Sequence, residues 1–151
     1  MHKSSKVTII NIWKEWIFPT NWMIFSIAGY EHVRFSSIFI GPTTTIDGNK
    51  IPLILWPHGG PHSVIATSFM QDVYYFLMLG YAVLFVNYRG SLGAGNDSVM
   101  SLPGNVGDAD VKDCYQALQE CFCTYENIDS NRYVIQYCFF NSRKVYVQFC
   151  H

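Results

Sequence analysis

At 151 residues the chain has the length of one domain, and half of its residues are hydrophobic while 14% are charged, against roughly 25% charged in a typical soluble domain. So few charges imply an exposed apolar face, and a formal net charge of −1 without clustered basic residues excludes the electrostatic footprint of a nucleic-acid binder. Five cysteines, an odd number with no secretory signal ahead of them, point to free thiols in a reducing compartment, so a cytoplasmic location is expected.

Residues 1–30 read as a tryptophan-rich lead-in. Within them Trp16 to Tyr30 is uncharged, yet it is 15 residues long and interrupted by Pro19, Thr20 and Asn21, short of the roughly 20 residues a membrane-spanning helix needs. It reads as a buried strand with its approach, and no membrane partner is expected. Val33 to Ile40 reads as a strand closed by Gly41-Pro42 and a polar loop through Asp47-Gly48-Asn49. Pro52 to Trp56 is a short continuous apolar run, the pattern of a strand covered on both faces. Ile65, Phe69, Val73, Phe76 and Leu77 recur at helical spacing, and Gly80 is placed to stop that helix in a left-handed cap. Tyr81 to Val86 is another buried-type strand, followed by Asn87-Tyr88-Arg89-Gly90 and a long loop through Gly93, Gly95, Pro103, Gly104 and Gly107. A second helix has Asp108 and Asp110 at its positive end and Val111, Cys114, Tyr115, Leu118 and Cys121 along one face. Asn131 to Gln136 reads as the next strand. Strands alternating with helices predict an α/β fold, a mostly parallel sheet with helices on both faces, whose ligands bind outside the strand carboxyl ends.

Both glycine-rich turns fall on that edge. The turn His58-Gly59-Gly60-Pro61-His62 directly follows the apolar run. Glycines there let bare peptide N–H groups meet the negative oxygen of a carbonyl under attack, because no Cβ holds the substrate off. This is one half of an acyl-transfer site. The other half would be a serine on a sharp turn with histidine and acid partners, and no Gly-x-Ser-x-Gly occurs in the chain.

The blocks Pro57-His58-Gly59-Gly60-Pro61-His62-Ser63, Gly80-Tyr81-Ala82-Val83-Leu84, Val86-Asn87-Tyr88-Arg89-Gly90-Ser91, Asn96-Asp97-Ser98, Ser101-Leu102-Pro103-Gly104-Asn105-Val106-Gly107 and Asp110-Val111-Lys112-Asp113 come in one order. Together they resemble the start of the catalytic domain of the acylaminoacyl-peptidases, in the prolyl oligopeptidase family. The resemblance runs from about Asn21 to Ile135. It implies a partial α/β-hydrolase domain over 31–137, a lead-in over 1–30 that resembles the end of a propeller or linker, and a divergent tail over 138–151. Members of the family are serine hydrolases that release N-acylated amino acids from peptides, and oligomeric assembly is expected of them. Carried over by residue, Gly60 would supply an oxyanion N–H, His58, Gly59 and Pro61 would shape that loop, and Tyr88 and Arg89 would lie at the active-site rim. Where the family places its nucleophile turn, this chain reads Gln136-Tyr137-Cys138-Phe139-Phe140-Asn141-Ser142-Arg143, with no glycine after Gly107. The fold is therefore expected to stop before the nucleophile elbow, as the product of a truncated transcript, a retained intron or a mispredicted gene would, and the chain to be inactive alone and prone to aggregate.

Other readings are weaker on spacing. Cys121, Cys123, Cys138 and Cys150-His151 lack the paired spacing of structural zinc sites, so no metal is expected. Gly93-Ala94-Gly95 lacks a third glycine and an adjoining helix, so it is a flexible loop and not a dinucleotide site. No cofactor is expected. His58 reads as a loop-orienting residue, and His62 has no assigned role. The tail from Tyr137 to His151, with Val145, Val147 and Phe149 alternating, reads as an edge strand or as sequence that never folds. A non-catalytic module that associates with full-length subunits through an open sheet edge is the alternative to a peptidase fragment.

Overall fold

A computed structural model of the chain describes residues 22–28, 35–42 and 48–136. They form five strands, β1 (Trp22–Ala28), β2 (Ser36–Pro42), β3 (Ile51–Pro57), β4 (Ala82–Asn87) and β5 (Ile128–Ile135), and three helices, α1 (Gln71–Met78), α2 (Asn96–Ser101) and α3 (Ala109–Thr124). The sheet order is β1-β2-β4-β3-β5. Strands β4, β3 and β5 are mutually parallel, while β2 is antiparallel to both β4 and β1. Only β2 therefore runs against the other four, and the sheet is mostly parallel as expected. β1 lies within the lead-in 1–30 and pairs along its whole length with β2, which carries the sheet across residue 31. No helix among the described residues is long and apolar enough to cross a membrane.

Strand alternation sorts the core into two layers. On one face Leu53 and Leu55 of β3 with Ala82, Leu84 and Val86 of β4 pack against Ala117, Leu118 and Cys121 of α3. On the other, Ile54 and Trp56 with Val83 and Phe85 pack against Val73 and Leu77 of α1. Because side chains alternate across a strand with period two, a run such as Leu53-Ile54-Leu55-Trp56 supplies both layers, and helices cover both faces.

Several boundaries differ from those expected. β2 starts at Ser36 and continues through Gly41 and Pro42, because β1 supplies partners for both residues. A Cβ on Gly41 would lie 2.8 Å from both Phe39 Cζ and Ala82 Cβ, so the glycine makes room for that ring inside the strand. The first helix begins at Gln71, not near Ile65. Asn87 takes the Ile65 backbone instead: its Oδ1 accepts from the Ile65 N–H at 2.8 Å and its Nδ2 donates to the Ile65 carbonyl at 3.0 Å. A backbone bonded this way is not available to a helix.

The helix ends as expected. Gly80 has φ +84°, and its N–H reaches the Leu77 carbonyl while the Tyr81 N–H reaches that of Phe76, both at 3.0 Å, the paired bonds of a Schellman cap. Inside the supposed long loop, residues 96–101 form α2. The inward face of α3 is also rotated from expectation. Ala109, Asp113, Ala117, Leu118 and Cys121 are buried, whereas Val111 and Tyr115 are 53% and 63% exposed. β5 begins three residues earlier than expected, with an irregular register against β3 between Ile51 and Leu53. The tail Tyr137–His151, and with it Cys138, Cys150, His151 and Ser142, lies outside the described residues.

Candidate functional site

The loops after β3 and β4 leave the sheet side by side, since these parallel neighbours end together at Pro57 and Val86. Side chains and backbone stitch the loops into one unit. The Tyr88 hydroxyl faces the carbonyls of His58 and Gly60, at 3.0 and 3.2 Å, and its ring stacks on the His58 imidazole with centroids 4.4 Å apart. The Ser91 hydroxyl donates to the Tyr88 carbonyl. Its oxygen lies 2.6 Å from His58 Nε2, so it accepts from that nitrogen, and the proton of a neutral His58 is assigned to Nε2. Nδ1–H of His62 donates to the Gly90 carbonyl at 3.0 Å, and the Leu92 N–H donates to the Ser63 carbonyl at 2.9 Å. His58, expected to orient the loop, is bonded to Ser91, and His62 joins the same seam.

Gly60 has φ +73° with nothing within 4 Å of where a Cβ would project. The space beside it is open to a ligand, and the backbone conformation is one that L-residues rarely hold. Among the described residues no acceptor meets the N–H of Gly59 or Gly60. Two unpartnered donors at the carboxyl end of a parallel strand can receive a negatively charged oxygen.

Beside them lies a cavity of about 480 Å³. His58, Gly59, Gly60, Pro61 and Tyr88 line its polar end, and Val111, Cys114, Tyr115 and Leu118 of α3 with Tyr133 and Ile135 of β5 line its apolar wall. The exposed stripe of α3 is this wall, which accounts for the rotation of the helix. Cys114 in the wall is no substitute nucleophile. Burial first, then Asp110 and Asp113, push its thiol up to about 12, so it stays protonated at neutral pH. Burial, with Asp110 and Cys114 adding to it, likewise raises the Tyr88 phenol to about 12, which keeps its proton available for donation.

Arg89 sits in the second loop and is not among the residues that line the cavity. Its Nε and Nη2 reach the two carboxylate oxygens of Asp113, at 2.8 and 2.5 Å, and its own N–H reaches Oδ2 at 2.9 Å. This ties the loop to α3. Asp113 is 1% exposed and Arg89 29%. The hydrogen bonds to Asp113 hold the guanidinium charge more firmly than its ordinary value, against the opposing pull of burial. No group of three potential ligands among the described residues could hold a metal ion.

Burial lowers the pKa of His58, with the Gly59 and Gly60 carbonyls partly opposing it. Between the lowered folded value and the unfolded value of about 6.5 the unfolded chain binds more protons. Stability is then expected to decline as pH falls through about 6.5 and to level off below the folded value. Urea unfolding of the wild type and of His58→Gln from pH 7.5 to 5 measures this, and the variant should show the shallower slope.

The mostly parallel sheet, its helices on both faces and a glycine-rich turn at the strand carboxyl edge define the early part of an α/β-hydrolase fold. Residues 67–136 match the prolyl oligopeptidase family. The chain is 44% identical to the mouse (Mus musculus) acylamino-acid-releasing enzyme over 103 residues, 68% of this chain and 14% of that protein. To the enzyme of the same name from Arabidopsis thaliana it is 47% identical over 83 residues, 54% of this chain and 11% of that one. It superposes on the acylaminoacyl peptidase of Pyrococcus horikoshii with a TM-score of 0.70 at 23% identity, over 78% of this chain and 19% of the other, a likeness of fold. Both the family match and the similarity to these relatives thus concern a segment of each, not the whole protein. The chain spans about 14% of the length of the mammalian relatives.

Proposed function

We propose that these residues form the oxyanion side of a serine-peptidase site of the acylaminoacyl-peptidase type, acting in the cytoplasm on peptides with an acylated N-terminus. The observation that carries this reading is the pair of unpartnered N–H groups of Gly59 and Gly60 at the mouth of an apolar cavity. As a carbonyl is attacked its oxygen gains negative charge, and a fixed donor aimed at that charge lowers the barrier; loss of one such donor costs about 10²–10³ in rate. The apolar wall would receive uncharged parts of the substrate.

A serine hydroxyl attacks only when a base takes its proton. No Gly-x-Ser-x-Gly turn is present in these 151 residues, and the one histidine–serine side-chain pair among the described residues, His58 with Ser91, is buried, with the Ser91 hydroxyl already given to the Tyr88 carbonyl. Loss of triad members lowers rates by about 10⁴ or more, so no turnover is expected from the 151-residue chain by itself. Incubation with acetyl-alanine p-nitroanilide and with a serine-directed phosphonate tests this. Product or label above the blank, abolished by replacing one of the chain's own serines, would overturn it.

A further inference from the structure

We propose that Tyr88, His58 and Ser91 act as a clamp that turns the N–H groups of Gly59 and Gly60 outward to the cavity, which makes Tyr88 and Ser91 positioning residues of the oxyanion loop. The proposal rests on the oxyanion reading only for the purpose of the clamp, not for its geometry.

Successive carbonyls of an extended chain point in alternating directions. Carbonyls two residues apart therefore face the same way, as those of His58 and Gly60 do, and the departure from the pattern lies in the Gly59 carbonyl between them. The carbonyls of His58 and Gly60 both face the Tyr88 hydroxyl, at 3.0 and 3.2 Å, and the intervening Gly59 carbonyl lies 3.4 Å from His58 Nδ1. Three consecutive carbonyls are thus gathered against one stacked pair of rings. In a planar trans peptide the N–H points opposite to the carbonyl, and no cis peptide is present among the described residues. The N–H of Gly59, joined to the His58 carbonyl, and that of Gly60, joined to the Gly59 carbonyl, are therefore directed away from the rings. Pro61 follows and has no N–H that would need a partner on the inner side. The left-handed conformation of Gly60, φ +73°, is what lets the chain depart from alternation.

The rings are held in turn from the second loop. Ser91 is 1% exposed; it donates to the Tyr88 carbonyl and accepts from His58 Nε2. The imidazole plane is thereby set by residue 91 while the loop carbonyls are set by residue 88. Neither side chain needs to touch a substrate to fix where the donors aim.

The test is ¹H–¹⁵N spectroscopy of the full 151-residue chain titrated with phenylacetate, a carboxylate whose ring fits the apolar wall. Tyr88→Phe keeps the stacked ring and removes only the hydroxyl, and Ser91→Ala is the second variant should the first fail to fold. In the wild type the Gly59 and Gly60 amide signals should shift and saturate, and the His58 nitrogens should report the Nε2–H tautomer. In Tyr88→Phe both amide signals should move before any ligand is added, and phenylacetate should bind about fivefold more weakly, the equivalent of one ordinary hydrogen bond. Ser91→Ala should shift the His58 tautomer balance and move the same two amides by less. A folded Tyr88→Phe with unchanged Gly59 and Gly60 signals and unchanged affinity would overturn the clamp and leave the oxyanion reading standing. Amide signals that move in the variant, in a wild type that ignores phenylacetate, would uphold the clamp and overturn the oxyanion reading. Failure of both responses would overturn both.

Discussion

Arg89→Ala is expected to lower the unfolding free energy by about 3–5 kcal/mol, the cost typical of removing one partner from a buried ion pair. The carboxylate it leaves is 1% exposed and would keep only the backbone N–H of residue 89 as a donor. Asp113 lies under the Arg89 side chain and away from water, so the loss of two guanidinium bonds leaves a poorly solvated carboxylate short of partners. The reverse change is milder. Asp113→Asn leaves a guanidinium that is 29% exposed and can turn to solvent. Urea denaturation of the two variants checks the order, and equal losses would sink the argument. The surface pair Lys112–Asp108, with side chains 70% and 65% exposed, is a built-in contrast, since exposed pairs of this kind contribute little. Arg89, for which the family resemblance implies a place at an active-site rim, also tethers the second loop to α3.

Gly90→Ala is the second large effect. A Cβ there would stand 2.3 Å from Leu102 Cδ2 and 2.8 Å from Leu102 Cβ, on a backbone with φ +99°. Both penalties act at once. Overpacking a filled core costs about 1–3 kcal/mol and a left-handed L-residue about 1–2 kcal/mol, so a loss of about 2–5 kcal/mol is expected. Leu102 is 1% exposed and belongs to the core on the α3 side, which leaves it little room to yield. Gly95→Ala separates the two causes. Its φ is +95° and its ψ 168°, a region held almost only by glycine, but nothing lies within 4 Å of the added atom, so only a backbone strain of about 1–3 kcal/mol should remain. The same denaturation experiment reads both, and equal losses at the two glycines would show that the contact with Leu102 relaxes freely.

The fold was legible wherever one physical pattern dominated. β3 and β4 are covered on both faces, and continuous apolar runs at 52–56 and 81–86 announced them. Gly80 marked the end of α1 because a single left-handed residue is needed there. β5 was only half visible: Asp129, Ser130 and Asn131 interrupt its apolar character, and its irregular register with β3 depends on a strand far away in sequence. α2 was hidden by its short length between glycines. The helical spacing from Ile65 misled, because Asn87 takes up that backbone from 22 residues away.

The site divides in the same way. Gly59 and Gly60 stood out because their role depends on local backbone freedom. Ser91 and Asp113 lay inside recognisable blocks, yet nothing in the spacing said that one would bond His58 and the other Arg89. Those are partnerships across loops. A serine shortly after one strand and a histidine directly after its parallel neighbour was the available signal, since parallel strands bring their carboxyl ends together.

The sheet order holds a further consequence for how the chain emerges during synthesis. β2 and β3 are not neighbours; β4 lies between them and begins 25 residues after β3 ends, from Pro57 to Ala82. At translation rates of about 5–20 residues per second, two apolar strands wait roughly 1–5 s for the strand that joins them. During that interval each presents unsatisfied edges to other nascent chains. The arrival of β4 covers one edge of each of these strands, so the nascent chain is expected to be more adhesive before β4 emerges than after.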